Sequence, residues 1–292
     1  MKSKAKRFIS LIVTLVMVFT VMSMTMVSMT AGAAGTKTYS KIKSYSVEYG
    51  GQTYCGYILV PEQPGKYPVN VVYCGTGGLK RWTDYSFDNW MNKWVDNGYI
   101  KPSIIVMPSV IDNGNNMASG VGTDYGMFSR NVRKQLGSMK EALLASEYSS
   151  YIDPRTDISV SGYSMGGCAS LLAGTLYPKL YHNIGSLSPS HCYFTYDGSG
   201  WVKKAKDIIF SRSSRAKRLM SYSKSEGEPF ISNFKTYEQL SRENGYRFKT
   251  YISKKDGHNV NLFYRQIFVY MYFLDHNTVL TDQQLEAMDY RG

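Results

Sequence analysis

Between a short β-like run, Asp157-Ile158-Ser159-Val160-Ser161, and a small-residue, helix-like stretch, Cys168-Ala169-Ser170-Leu171-Leu172-Ala173-Gly174, the chain reads Gly162-Tyr163-Ser164-Met165-Gly166-Gly167. A G-x-S-x-G pattern placed between a strand and a helix constrains the fold more than any other feature here. A turn tight enough to hold the serine out at the strand end leaves room only for glycine on either side of it. The serine then stands at a helix N-terminus, where unpaired N–H groups favour negative charge. Ser164 is therefore the candidate nucleophile, and the Met165 N–H a candidate donor to an oxyanion. An ordinary strand-to-helix turn bounded by Gly162 and Gly166 is the plainer reading of the same residues.

The flanking chain alternates strand and helix. Residues 44–49 and 54–60 alternate polar and apolar around Gly50-Gly51, which predicts an antiparallel hairpin at a sheet edge. Residues 69–73 and 104–107 are short apolar runs bounded by turn residues, the pattern of strands buried on both faces. Residues 131–145 have helical spacing, with Val132, Leu136, Met139, Leu143 and Leu144 on one side. Strands over 184–187, 218–222 and 247–253 alternate with helices over 230–244 and 261–276. The expected class is α/β, a mostly parallel sheet with helices on both faces, whose ligands bind beyond the C-terminal strand ends.

Each remaining candidate falls at that edge. A general base must reach the serine Oγ to about 2.6–3.2 Å, and His258, in Lys255-Asp256-Gly257-His258-Asn259, follows the last strand. His182 precedes a strand, at the opposite end, and reads as a surface residue. His191 follows a strand and could line a pocket, while His276, late in a helix, reads as structural. An imidazole acting this way needs an acid to hold its tautomer. Glu226 emerges after the 218–222 strand, in the order serine, acid, histidine; Glu228 and Asp197 are rivals, and Asp256 reads as a turn residue. Val72-Tyr73-Cys74-Gly75-Thr76-Gly77-Gly78 ends an early strand with exposed amides, making Thr76, then Gly77, the second oxyanion donor. A plain glycine turn is the other reading. Gly77, Tyr163 and His191 are candidate substrate contacts, and Tyr85, Tyr125, Tyr193 and Tyr196 fall where rings could stack on a sugar or phenolic group.

The ends and the composition set further bounds. Residues 1–34 open with Lys2, Lys4, Lys6 and Arg7, run apolar from Phe8 to about Met29, and close on Ala31-Gly32-Ala33-Ala34, a secretory leader with a cleavage site near Ala33 or Ala34. Its apolar part exceeds the usual length, which leaves an uncleaved surface anchor open. Residues 35–292 read as one domain, with no linker, repeat or low-complexity stretch. The formal charge of +12, which cleavage would lower by four, is scattered and has no nucleic-acid footprint. Four cysteines without a C-x-x-C pair, and four histidines without ligand spacing, predict no zinc or other transition-metal site. No G-x-G-x-x-G opens a helix, so no dinucleotide cofactor is expected.

The Gly162–Gly167 elbow, the Cys74–Gly78 loop, Ser225-Glu226 and Gly257-His258-Asn259 together resemble the Putative esterase family of α/β-hydrolases. That family includes esterase D, enterochelin esterases, antigen 85 mycolyltransferases, and the feruloyl and acetylxylan esterases of carbohydrate esterase family 1. The resemblance runs from about Ser44 to His276. It departs at Cys74-Gly75, where the family usually has His-Gly, and at Asp256-Gly257-His258, where it usually has Gly-Gly-His. It implies a secreted serine esterase without cofactor, acting through an acyl-enzyme on acyl groups attached to carbohydrate, such as ferulate or acetate on plant polysaccharide. Acyl transfer of the mycolyltransferase type and peptidase activity are the enzymatic alternatives. A secreted binding module that has lost activity is the non-enzymatic one.

Overall fold

The computed structural model describes residues 37–75, 79–109, 136–155, 157–190, 210 and 212–291. Its strands are β1 (Lys43–Tyr49), β2 (Gln52–Leu59), β3 (Val69–Tyr73), β4 (Ile104–Pro108), β5 (Ile158–Tyr163), β6 (Tyr181–Leu187), β7 (Arg218–Ser223) and β8 (Lys249–Ser253). They form one eight-stranded sheet in the order β1-β2-β4-β3-β5-β6-β7-β8. β1 and β2 form the expected hairpin, closed by Gly50 and Gly51 at φ 59° and 74°. Positive φ at both central residues matches the right-handed twist of the paired strands. β2 runs antiparallel to β4, and β4, β3, β5, β6, β7 and β8 are mutually parallel.

Seven α-helices occur among the described residues: α1 (Lys80–Asp84), α2 (Phe87–Asp96), α3 (Met139–Leu144), α4 (Met165–Leu176), α5 (Phe230–Glu243), α6 (Val260–His276) and α7 (Asp282–Ala287). Successive strand residues point to opposite faces, and each face has its own core. Val71, Ile104 and Val106 pack with Met139 of α3, Leu172 of α4 and Phe234 of α5. Val72, Ile105 and Met107 pack with Trp82 of α1, Trp94 of α2, Phe268 of α6 and Leu285 of α7. The continuous apolar runs of β3 and β4 are thus buried on both sides, as their sequence predicts.

Three elements differ from expectation. The 131–145 helix is interrupted: residues 131–135 lie outside the described region, and a turn at Gly137-Ser138 delays α3 to Met139. Glycine costs backbone entropy in a helix and serine competes for backbone hydrogen bonds, so the pair breaks a pattern that its apolar spacing supports. β6 begins at Tyr181, so His182 lies inside the strand rather than before it. The short α7, opened by a Thr281–Gln284 capping box, carries no apolar repeat long enough to announce itself.

Candidate active site

Ser164 joins β5 to α4 at φ 59°, ψ −117°. Positive φ strains a residue with a side chain, and such strain persists only where the surroundings over-determine it. Here the backbone does so. The Ser164 N–H donates to Leu187 O at 2.9 Å, and its carbonyl accepts from Ser190 N at 3.1 Å and Gly167 N at 3.0 Å. The flanking glycines are sterically required: a Cβ at Gly162 would lie 2.4 Å from Gly166 O, and one at Gly166 would lie 2.3 Å from Tyr73 O. Met165 opens α4, so its N–H has no acceptor within the helix.

The histidine is fixed differently. Glu226 follows β7 with its side chain fully buried, and its Oε1 lies 2.6 Å from His258 Nδ1. Its Oε2 accepts from Ser223 N at 2.6 Å and from Ser188 Oγ at 2.8 Å, and Ser188 Oγ in turn accepts from Gln266 Nε2 at 2.8 Å. Every oxygen of a desolvated carboxylate thus has a donor. An acceptor at Nδ1 assigns the neutral ring's proton to Nδ1 and leaves the Nε2 lone pair free. Phe230 stacks on the imidazole at 3.7 Å and 13°, and Tyr163 at 4.6 Å and 19°. Two rings so close and so nearly parallel cannot share one side of it, so the imidazole lies between them.

The loop bearing His258 is anchored from behind. Asp256 sits at φ 63°, and its Oδ2 accepts from Nε of the fully buried Arg265 at 2.8 Å. Arg265 also lies 3.5 Å from Asp282 Oδ1. Asp282 Oδ2 accepts from Lys254 N at 2.8 Å, and its Oδ1 from Tyr251 OH at 2.5 Å. Burial of Asp282 raises its pKa, but the Lys254 amide, the Tyr251 hydroxyl and the Arg265 charge outweigh it and hold the carboxyl below its ordinary value. Asn259 caps α6, accepting from Asn261 N and Leu262 N at 3.0 and 3.2 Å. Asp256, read from sequence as a turn residue, is a turn residue that also anchors the loop.

Ser164, His258, Tyr163 and Gly75 line one cavity of about 170 Å³, together with Arg81 and Tyr85. Cys74, also in its wall, has its thiol pushed up to about 12 by desolvation, partly offset by Arg81. Of the residues singled out from sequence, Ser164, Met165, Glu226, His258, Tyr163 and Tyr85 meet at this edge of the sheet. Thr76, Gly77, His191, Asp197, Tyr125, Tyr193 and Tyr196 lie outside the described residues. Glu228 does not reach the histidine; its carboxylate accepts from Ser232 N at 3.1 Å within α5. His182 lies 2.9 Å from Asp157, and His276 contacts Tyr99 O at 2.9 Å, both away from the cavity. Sequence reasoning missed Phe230, Ser188, Gln266, Arg265 and Asp282. The legible signal was an arginine in an apolar helix, which demands a carboxylate partner.

A strained serine at a strand-to-helix elbow, sharing a cavity with a histidine bound to a buried glutamate, on a mostly parallel sheet, defines a serine hydrolase of the α/β-hydrolase fold. Residues 48–241, well over half of the chain, match the family described as Putative esterase, and the chain belongs to that family. It is accordingly a serine carboxylic ester hydrolase. Among solved structures it is similar to the carbohydrate esterase family 1 ferulic acid esterase of the anaerobic fungus Anaeromyces mucronatus, at 16% identity and TM-score 0.64. That match covers 82% of this chain and 91% of the fungal one; the same enzyme is also known in complex with ferulic acid. A Pyrobaculum calidifontis esterase is similar at 11% identity and TM-score 0.56, covering 84% of this chain and 87% of its own. The acylaminoacyl peptidase of Pyrococcus horikoshii matches at 17% identity and TM-score 0.56, but over only 41% of its length against 81% of this one. At these identities the likeness is one of fold. No curated protein matches the chain in sequence.

Proposed function

We propose that the protein is a secreted esterase in which Ser164, His258 and Glu226 act as a triad on acyl groups attached to carbohydrate. The observation that carries this reading is the 2.6 Å contact of His258 Nδ1 with buried Glu226, at the cavity that Ser164 lines. His258 Nε2 takes the Ser164 proton as Oγ attacks the ester carbonyl, and Glu226 stabilises the imidazolium that forms. The Met165 N–H, with that of Thr76, receives the oxyanion. Collapse expels the alcohol, which takes the proton back from His258, and water attacks the acyl-enzyme by the same route in reverse. The N-terminal leader pattern supports secretion, and the likeness to a ferulic acid esterase supports a carbohydrate-linked acyl group.

The test is release of product from methyl ferulate and acetylated xylan, with Ser164→Ala as the blank. Release lost in the variant supports the reading. Release retained by the variant overturns the nucleophile, and turnover of neither substrate overturns the substrate class.

A further inference from the structure

The cavity that holds Ser164 has one cationic side chain in its wall, the guanidinium of Arg81, which can only donate hydrogen bonds. Arg81, on α1, lines it beside Tyr85. The guanidinium Nη1 donates to the Tyr85 hydroxyl, and its carbon lies 5.7 Å from the centre of the Tyr85 ring. Tyr85 is itself held by α6: Tyr264 OH donates to the Tyr85 carbonyl at 2.7 Å, and the two rings meet edge to face at 6.5 Å. The nearby Asp84 is occupied by Lys80 at 2.7 Å, and no carboxylate pairs with Arg81 among the described residues.

The free donors of this arrangement set the charge of the ligand it fits. A guanidinium has five N–H donors and no acceptor. The Tyr85 hydroxyl, accepting from Arg81, keeps its own proton to donate elsewhere. No described lining residue is a carboxylate: Val260 and Phe263 are apolar, Asn259 is an uncharged amide, and desolvation keeps Cys74 a neutral thiol. A ligand completing this wall must bring acceptor oxygens and negative charge, and a carboxylate matches a guanidinium fork in shape as well as in charge.

We propose that Arg81 and Tyr85 form an anion subsite, and that the enzyme prefers esters bearing a carboxylate within reach of the scissile bond. The carboxylate could belong to the alcohol, as in acyl esters of a uronic acid, or to the acyl group, as in a dicarboxylic hemiester. This inference rests on the esterase reading of the same cavity.

Two matched substrate pairs test it on the full chain. One is p-nitrophenyl acetate against p-nitrophenyl hemisuccinate, which places the charge on the acyl side. The other is an O-acetylated methyl glucoside against the corresponding methyl glucuronide, which places it on the alcohol side. In at least one pair the anionic member should exceed its neutral twin in kcat/KM by about tenfold, the scale of a charge-assisted hydrogen bond. Arg81→Gln should bring that ratio close to one, Arg81→Lys should keep part of it, and added salt should lower it in the native chain. No preference in either pair, or a preference that survives Arg81→Gln, overturns the subsite. Hydrolysis that persists in Ser164→Ala overturns the esterase reading of this cavity and the subsite with it.

Discussion

The two halves of the catalytic edge are held by different means. On the elbow, the main chain holds the serine: four backbone hydrogen bonds reach Ser164, and the two flanking glycines pass within van der Waals reach of other backbone atoms. On the histidine side, side chains do it: a glutamate with three donors, two stacked rings, and the Asp256–Arg265–Asp282 cluster behind the loop. Backbone packing has little give, because nothing can rotate away from a clash. A network of side chains can lose one member and keep the others. The proposed nucleophile should therefore fail all at once under substitution, and the proposed base by degrees.

The sharpest way to break this contrast is at the elbow. Gly166→Ala puts a methyl group against the Tyr73 carbonyl, so β3 and α4 must separate. Displacing the nucleophile by about 1 Å should cost about 10²-fold or more in kcat, with a lower melting temperature. Near-native turnover would show that the elbow yields. On the other side, Arg265→Ala strands Asp256 and Asp282 and should destabilise the protein by about 3–5 kcal/mol, read by urea unfolding. Loss of less than about 1 kcal/mol would mean that the cluster is not a buried ionic unit.

Phe230 tests the graded side more finely. Phe230→Ala removes one face of the imidazole's enclosure and should lower kcat by about tenfold while KM changes little, and Phe230→Tyr should restore most of it. An effect confined to KM would place Phe230 in substrate binding instead. Asp282→Asn should cost about 1–2 kcal/mol at pH 7. Because the folded state lowers the Asp282 pKa, this contribution is present above about pH 4 and is lost as pH falls through the folded value. The melting-temperature gap between native chain and variant should therefore hold steady from pH 7 to about pH 4 and narrow as pH falls further. The smallest effect belongs to Cys74: its raised pKa keeps it a thiol, so iodoacetamide at pH 8 should leave it unalkylated and activity intact. Rapid alkylation there would contradict the raised thiol pKa.

What the sequence made legible follows the same division. The elbow could be read because its determinants are local: two glycines, a serine, a strand before and a helix after. Glu226 and His258 could be placed because parallel sheets deliver successive loops to one edge in chain order. The network around them could not, since Ser188, Phe230 and Gln266 come from separate elements and meet only through packing. Gly137-Ser138 shows the limit of periodicity, for apolar spacing continues through a turn that immediately precedes α3. The apolar residues place the start of the sixth strand at Ile184, but β6 begins three residues earlier, at Tyr181, and so takes in His182. A polar strand start facing an ion-pair partner carries little hydrophobic signal.

The account stands or falls on Ser164 being activated by His258. The most direct measurement is the rate and site of labelling by a fluorophosphonate, which reacts with an activated serine, in the native chain and in His258→Ala. A single adduct mapped to Ser164, formed at least about 10³-fold more slowly in the variant while its circular dichroism is unchanged, is the predicted result. An adduct on another residue, or an unchanged rate without His258, would contradict it.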